Sequence, residues 1–275
     1  MAHLTFDTYG KTRVRLIYLK RTAERHEIRD LTAKILFEGG FQETYTTGDN
    51  SKVLPTDTMK NTVYALARQT EIASVEEFAR TLAKHFLEHV EHLQQVQIYL
   101  AETPWQRRAD HPAAFMQAGD EQRTVHLTAT LNSETIVLGI HNLQILKTGD
   151  SAFTGYLKDK FTTLPETEDR LLGTVLEAEW QYPSDMRDFD AAHQLVRDTL
   201  LDSFALHHSL SVQHTLFHMA QAVLDRVSAV SEIHLTMPNK HCILADLTRF
   251  GLDNPNQIFV PIDEPSGYIE ARITR

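Results

Sequence analysis

Apolar and polar side chains alternate with a period of two along several segments of the chain, and this alternation predicts β-strands. The predicted strands cover residues 12–20, 95–100, 123–131, 135–147, 172–182 and 233–237. Residues 26–37 fit either a strand or a helix, and Gly39-Gly40 ends that segment. Residues 41–54 are polar and rich in turn-forming residues. Most of the chain therefore reads as sheet, interrupted by a few helices.

The helical segments show apolar residues at steps of three and four. The clearest begins at Ser74, and Glu77 three residues later completes a capping-box sequence. An earlier helix follows Pro55, with Thr56 or Asp57 as its expected cap. The second half of the chain predicts helices at residues 190–204 and from Ser211 onward.

The two halves repeat each other at an offset of 137 positions, the distance from Ser74 to Ser211. At that offset Val75, Ala83, Leu87 and Val90 meet identical residues in the second half. A common order of strand, strand, helix, helix, strand, strand favours duplication over chance periodicity. We predict an α+β fold of two units, residues 1–132 and 133–275, each an antiparallel sheet with helices on one face. Eight strands per chain would close a large barrel only with a partner chain.

Composition narrows the classes of function. The 275 residues carry a net charge of -10, which argues against a nucleic-acid partner, and 42% of them are hydrophobic. We find no apolar run long enough to span a membrane. The sequence shows no signal peptide, no peroxisomal tripeptide at Ile273-Thr274-Arg275, and one cysteine, Cys242. These features predict a cytoplasmic protein.

One motif suggests a metal enzyme. Residues His85 to His89 match the H-x-x-E-H pattern of some zinc peptidases. The repeat argues against this reading, because Ala222, Asp225 and Arg226 stand where a second copy would place the ligands. His214 and His218 form another pair four residues apart without an acidic companion, and His207-His208 is interpreted as a helix end. We therefore predict no metal site, and keep a zinc hydrolase built on His85 and His89 as an alternative.

Other polar stretches suggest binding of a polar ligand. Gly10 permits a close backbone approach next to Lys11, which could act as a base. A long, threonine-rich segment ends at Arg170, whose guanidinium could hold a planar anion. Asn239 and His241 stand two apart and could share one side of the chain, beside Pro238, which we expect to close the strand before it.

Taken together these stretches resemble the uricase (urate oxidase) family. The matching stretches run in the family's order and extend from residue 9 to residue 241. They are Tyr9-Gly10-Lys11, Thr56-Asp57-Thr58, the segment from Phe153 to Arg170, Ser211-Val212-Gln213, and Pro238-Asn239-Lys240-His241. The resemblance implies two tandem tunnelling-fold (T-fold) units, each ββααββ. It also implies a homotetramer in which two chains close a sixteen-stranded barrel and active sites are shared between subunits.

The resemblance also implies a substrate site. Phe153 would stack on the purine ring, and Arg170 would bind the pyrimidine edge of the urate anion. Gln213 would bind the opposite edge, Val212 would contribute a backbone group and packing, and Asp57 would contact the five-membered ring side through its backbone.

The reacting groups follow from the same resemblance. Lys11 and Thr56 of the neighbouring chain would accept protons, and His241 would extend the relay. Asn239 would face Thr56 across the position of O2 and, later, water.

The implied activity is oxidation of urate by O2 to 5-hydroxyisourate and hydrogen peroxide in purine degradation, without a metal or an organic cofactor. A second alternative is a non-enzymatic module of the same fold that binds purines or pterins.

Overall fold

The β-strands follow the period-two segments closely. The computed structural model describes residues 2–183, 186 and 188–275. Its strands are β1 (Tyr9–Arg21), β2 (His26–Gly39), β3 (Leu93–Thr103), β4 (Trp105–Arg107), β5 (Phe115–Gln117), β6 (Gln122–Ala129), β7 (Glu134–Lys147), β8 (Leu172–Trp180), β9 (Glu232–Thr236), β10 (Asn239–Leu244), β11 (Phe259–Gly267) and β12 (Glu270–Thr274). Its helices are α1 (Gln42–Thr46), α2 (Thr56–Gln69), α3 (Val75–His89), α4 (Phe189–Leu206) and α5 (Val212–Arg226), with a 3-10 turn at Thr248–Phe250. In this part of the chain no helix combines the length and the apolar character needed to cross a membrane.

Contacts divide the chain into two compact units, Met1–Gly139 and Ile140–Arg275. In the first unit β1, β2, β3 and β6 lie side by side in that order, and each neighbouring pair is antiparallel. The ambiguous segment at 26–37 is therefore a strand, which is explained by its position between β1 and β3. Among the described residues β1 has β2 as its single neighbour, so this sheet ends in an open edge.

The core of the first unit lies between one face of this sheet and its helices. Alternate residues of β2, from Leu31 to Phe37, are fully buried, and the ring of Phe37 packs edge-on against Phe86 of α3 at 5.1 Å. Each large side chain buried in this way stabilises the fold by about 1.5–3 kcal/mol. This packing fixes which face of β2 and β3 points away from the helices.

The start of α3 shows how the sequence anchors this helix. The Ser74 hydroxyl accepts a hydrogen bond from the Glu77 backbone N–H (3.1 Å), as the capping sequence predicts. The Glu77 carboxylate, however, accepts from Arg80 (2.8 Å), so only half of the predicted capping box forms. Glu76 is fully buried and receives two 2.7 Å hydrogen bonds from Arg123 on β6. This buried ion pair joins the helix to the sheet.

In the second unit β7 is followed by β8, which pairs along its length with two strands. The first residues of β8 pair with β10 and its last residues pair with β9, while β11 pairs with β10 and β12 with β9. We expected Pro238 to close the ladder after β9. That prediction is confirmed, because β9 ends at Thr236, before the proline. The separate strand β10, which begins at Asn239 and pairs with other residues of β8, was not predicted from the sequence. Pro238 interrupts the strand where the partner of β8 changes.

The α+β fold with the order ββααββ is confirmed, with β4, β5 and α1 added in the first unit and with four strands instead of two, β9 to β12, after the helices of the second unit. The helix bounds also follow the repeat. Helices α3 and α5 both have 15 residues, and the offset of 137 superimposes both of their ends. The same offset superimposes the C-terminal ends of α2 and α4, although α4 begins earlier. The domain boundary after residue 132 stays a prediction; it falls in the turn between β6 and β7.

Candidate active site

The first predicted stretch, Tyr9-Gly10-Lys11, begins strand β1. A Cβ atom on Gly10 would lie 1.8 Å from the carbonyl oxygen of Ile35 on β2, far inside van der Waals contact. The expected close backbone approach at Gly10 is thus confirmed. Any larger residue there would push apart the two strands that position Lys11.

A β-bulge follows Lys11 directly. Lys11 is paired with Ile35, yet the next pair is Val14 with Ala33, so two residues of β1 stand opposite one residue of β2. Arg13 within the bulge has a left-handed backbone, with φ of 57°. Bulges re-aim side chains and often lie next to active sites. This one separates Lys11 from the regular ladder that follows.

Helix α2 begins beside this strand without a side-chain cap. Thr56 and Asp57 were predicted as caps, but Pro55 holds the capping position and no side chain bonds to the first N–H groups. The hydroxyl of Thr56 is therefore not consumed by capping. The hydroxyl of Tyr9 accepts a hydrogen bond from the Leu54 backbone (3.1 Å) and so ties β1 to the segment that leads into the helix.

Asp57 is exposed and held by its own helix. Its carboxylate accepts hydrogen bonds from the Lys60 ammonium (2.5 Å) and the Asn61 amide (3.0 Å). Lys60 is the main reason that the pKa of Asp57 lies below its ordinary value, and the charge of Lys11 lowers it further. Lys11 therefore lies within electrostatic reach of the start of α2. The first unit brings Lys11, Thr56 and Asp57 into one neighbourhood.

In the second unit the segment between β7 and β8 folds back on itself. Phe153 and Thr167 exchange two backbone hydrogen bonds (2.8 and 3.2 Å), which close the intervening residues into a loop. The Phe153 ring stacks on Tyr156 at 4.7 Å with an interplanar angle of 15°. The guanidinium carbon of Arg170 lies 5.3 Å from the centre of the Phe153 ring. Two residues 17 positions apart are thus brought side by side.

Among the described residues, no acidic side chain forms an ion pair with Arg170. Its Nε is buried and has no hydrogen-bond partner among the described residues. Burial lowers the pKa of the Arg170 guanidinium, since desolvation disfavours its charge. Buried polar groups are normally hydrogen-bonded, and an exception calls for an explanation. A planar anion bound beside the Phe153 ring would supply the missing partner.

Backbone hydrogen bonds connect this pair to the start of α5. The Arg170 N–H donates to the Ser151 carbonyl (2.8 Å), and Ala152 donates to Ser209 (2.7 Å). Two residues later Ser211 caps α5, and its hydroxyl accepts from the His214 backbone (3.1 Å). The helix then begins with the two remaining residues predicted to bind substrate: a buried Val212 and an exposed Gln213.

Asn239 and His241 both lie on β10. The side-chain amide of Asn239 is 3.4 Å from Nδ1 of His241, so the expectation that the two share one side of the chain is confirmed. Asn239 is paired with Thr174 on β8, the strand that begins two residues after Arg170. A register shift between Asn239 and His241 marks an irregularity in the pairing with β11.

The predicted site residues therefore form two groups. Lys11, Thr56 and Asp57 belong to the first unit. The others belong to the second unit: Phe153, Arg170, Val212, Gln213, Asn239 and His241. The individual role of each residue stays a prediction.

The predicted zinc motif does not assemble a ligand set. The rings of His85 and His89 stack at 4.3 Å, and Nδ1 of His89 lies 2.8 Å from the His85 carbonyl oxygen, to which it donates. Among the described residues, the group of three ligand side chains close enough to hold an ion lies elsewhere: His207, His214 and His218. Sequence reasoning missed this group. The signal was present as a pair four residues apart on α5, but the third histidine follows α4 and is brought close only by folding.

Comparison with known proteins identifies related sequences. The family model described as Uricase matches residues 7–128 and 136–270. The uricase of Arthrobacter globiformis is 43% identical over 269 residues, which cover 98% of this chain and 89% of the relative. The uricase of Dictyostelium discoideum is 40% identical over 282 residues, which cover 100% of this chain and 98% of the relative.

Solved structures give the same result for the fold. The crystal structure of uricase from Arthrobacter globiformis matches with a TM-score of 0.95 and 42% identity, covering 100% of this chain and 96% of that one. A uricase structure from Bacillus fastidious matches with a TM-score of 0.84 and 26% identity, covering 99% of this chain and 94% of that one. The resemblance noted in the sequence, including its T-fold assignment, is confirmed.

Proposed function

The chain belongs to the uricase family and oxidises urate in purine degradation, and we propose that the two groups of residues described above carry out this reaction with O2. The products are 5-hydroxyisourate and hydrogen peroxide. In this proposal the second unit holds the substrate, and the first unit of a neighbouring chain supplies the proton-accepting side chains.

The observation that carries the proposal is the pairing of Arg170 with Phe153. Urate is a planar aromatic anion, and its recognition needs a flat apolar surface and a cation that can form parallel hydrogen bonds. The Phe153 ring and the half-buried guanidinium 5.3 Å from it offer both. The unpartnered Nε of Arg170 supports the same assignment. Gln213 and Val212 then limit the opposite edge of the substrate.

Proton removal falls to Lys11 and Thr56. In the described part of the chain neither the Lys11 ammonium nor the Thr56 hydroxyl has a hydrogen-bond partner, so both are available to a ligand. Loss of a second proton makes urate an electron-rich dianion. The backbone of Asp57, at the uncapped start of α2, is suited to contact the five-membered ring.

The oxidation step needs a place for O2 beside the ring. Asn239 supplies an amide there, and His241, 3.4 Å from it, extends the path for protons. Two electrons pass from the urate dianion to O2, which takes up two protons to leave as hydrogen peroxide. Water adds to the oxidised ring carbon and yields 5-hydroxyisourate. The protein contributes deprotonation, fixed geometry and electrostatic stabilisation.

We propose that this chemistry requires neither a metal nor an organic cofactor, since the dianion itself is the reductant of O2. The test uses protein freed of metals with a chelator and checked for residual metal. Loss of the ultraviolet absorbance of urate and uptake of O2 are measured together, and one O2 is expected per urate. Turnover that disappears on metal removal and returns with added metal would overturn this part of the proposal.

We further propose a homotetramer whose active sites are shared between chains. The open edge at β1 is consistent with pairing to another copy. In a subunit-mixing experiment, two variants that we expect to be inactive are combined, Lys11→Met in the first unit and Arg170→Met in the second. Hybrid tetramers formed by dissociation and reassociation should regain part of the activity, because some sites receive both intact halves. If the mixture stays inactive while hybrids form, the sites are not shared.

The comparisons do not support the alternatives of a zinc hydrolase built on His85 and His89 or a non-enzymatic binding module. The cytoplasmic location stays a prediction, which fractionation of the source cells would test.

A further inference from the structure

Three histidines of the second unit form a cluster that the proposed reaction does not use. His207 is the residue that ends α4, and His214 and His218 lie one turn apart near the start of α5. One ring nitrogen from each lies within 4.8 Å of those from the other two. The rings of His207 and His218 stack at 4.0 Å, and His214 lies edge-on to both at 4.5 and 4.7 Å.

The ring nitrogens of this cluster are available as ligands. Nε2 of His207 is buried and has no hydrogen-bond partner among the described residues. Nδ1 of His214 accepts a long hydrogen bond of 3.4 Å from the Leu210 backbone. Ligation through Nε2 would move the ring proton to Nδ1 and give up only this long bond. Burial, aided by the neighbouring imidazoles, lowers the pKa of His207 to about 4 and also lowers the pKa of His214. Neutral imidazole is the form that ligates metal ions.

Metal binding would draw the three nitrogens closer together. Tetrahedral coordination with metal–nitrogen bonds of about 2.0–2.1 Å places the ligating nitrogens roughly 3.3 Å apart. The present separations are all within 4.8 Å, so the rings would turn about their side-chain bonds when the ion binds. All three side chains are partly exposed.

The charges nearby do not form a strong barrier to a cation. The Lys147 ammonium donates to the His207 carbonyl (2.5 Å) and is a positive charge beside the cluster. It lies 3.7 Å from the Asp150 carboxylate, which also contacts His208 at 2.5 Å. The carboxylate therefore offsets part of the repulsion from the lysine.

We propose that His207, His214 and His218 form a binding site for one borderline divalent transition-metal ion, with Zn²⁺, Ni²⁺ and Cu²⁺ as the favoured class. Three imidazoles suit these ions, whereas Mg²⁺ and Ca²⁺ prefer oxygen ligands. The ion would tie the end of α4 to the first turns of α5, the helix that carries Val212 and Gln213. The site goes beyond urate oxidation and takes no part in its chemistry.

The chain contains a matched control for this proposal. His85 and His89 on α3 form a pair four residues apart with stacked rings, but no third ligand joins them in the described part of the chain. If three converging imidazoles are needed, removing this pair leaves binding intact. A variant that lacks both His85 and His89 thus shows whether metal binding depends on the three-histidine cluster or on surface histidines in general.

The experiment titrates untagged, metal-free protein with Zn²⁺ against a chromophoric chelator, and repeats the titration with Co²⁺ to read its coordination from the visible spectrum. We expect one ion per chain, a tetrahedral Co²⁺ spectrum and a melting temperature that rises with Zn²⁺. His218→Ala and His207→Ala should each weaken binding about tenfold or more, and the variant carrying His85→Ala and His89→Ala should not.

Equal affinity in His218→Ala and in the His85/His89 control would overturn the proposal, as would the absence of saturable binding in the unaltered protein. If an alanine variant fails to fold, His218→Gln and His207→Gln keep the side-chain volume and serve the same comparison. Because the readouts are metal affinity, spectrum and melting temperature, the result does not depend on the urate assay.

Discussion

Replacement of Arg170 should lower activity without lowering stability, since the buried Nε of this side chain has no hydrogen-bond partner in the described part of the chain. Arg170→Lys keeps a positive charge but cannot form two parallel hydrogen bonds with a planar anion. A hydrogen bond to a charged group contributes about 1.5–3 kcal/mol. Loss of one such bond lowers kcat/KM for urate by roughly 10- to 150-fold. Arg170→Met loses both bonds and should lower kcat/KM by roughly 10²- to 10⁴-fold.

The stability of the same variants should move in the opposite direction. A half-buried guanidinium whose pKa is lowered by desolvation is unfavourable in the folded protein without ligand. Arg170→Met should therefore stabilise the free protein by about 1 kcal/mol and raise the melting temperature by about 2–4 °C.

The assay combines initial rates from urate absorbance with thermal unfolding without urate. Arg226→Lys is the matched control, because Arg226 contacts Asp202 at the surface near the far end of α5. Its kcat/KM should stay within about twofold, since exposed ion pairs contribute little. If Arg170→Lys retains full kcat/KM, or if Arg170→Met loses activity only because it unfolds, the assignment of Arg170 to substrate binding is wrong.

Three further predictions concern the core, the stacking surface and the charge at the site. Glu76→Gln should destabilise the fold by about 3–5 kcal/mol in chemical unfolding, because its buried arginine partner loses its counter-charge, whereas Glu77→Gln on the surface should cost less than about 1 kcal/mol. Phe153→Leu should raise the urate KM by roughly 5- to 150-fold, the equivalent of about 1–3 kcal/mol of ring stacking, while Phe161→Leu at the exposed tip of the same loop should leave KM unchanged. Lys60 lowers the pKa of Asp57 in the folded protein. The ion pair between them therefore stabilises the fold at pH values above the ordinary carboxyl pKa, and this stabilisation is lost as the pH falls through the lowered pKa. Asp57→Asn removes this ion pair, so its free energy of unfolding should fall less between about pH 5 and pH 2 than that of the unaltered protein, and an unchanged pH dependence of unfolding would refute this.

Local patterns predicted most of the secondary structure because they record burial on one face of each element. The alternation in β3 and the 3.6-residue period in α3 correspond to buried side chains that meet between sheet and helix. The repeat offset of 137 even reproduced the bounds of α3 and α5. Sequence reasoning placed the end of β9 before Pro238 but missed β10, because a proline stops one ladder and does not prevent a new strand from beginning with other partners.

The candidate active-site residues were also predicted from the sequence, but the side chains that each of them contacts in the folded protein were not. Lys11 and Gly10 could be proposed as a pair because they are adjacent in the chain, and the 1.8 Å approach at Gly10 agrees. The contact between Phe153 and Arg170, by contrast, depends on a loop that closes through Thr167. Resemblance to the family implied that both residues bind one substrate, but neither that resemblance nor periodicity predicted their mutual contact.

Most of the long strands and helices, their order, the repeat and the family could be predicted from the sequence, because each depends on residues near one another in the chain or on short motifs. Which distant side chains meet became known only from the packed structure. It joined His207 to His214 and His218 across the turn between two helices, and it left the Nε of Arg170 buried without a partner. Such contacts depend on how helices and strands pack. A one-dimensional pattern reports that a face is buried and does not report what that face touches.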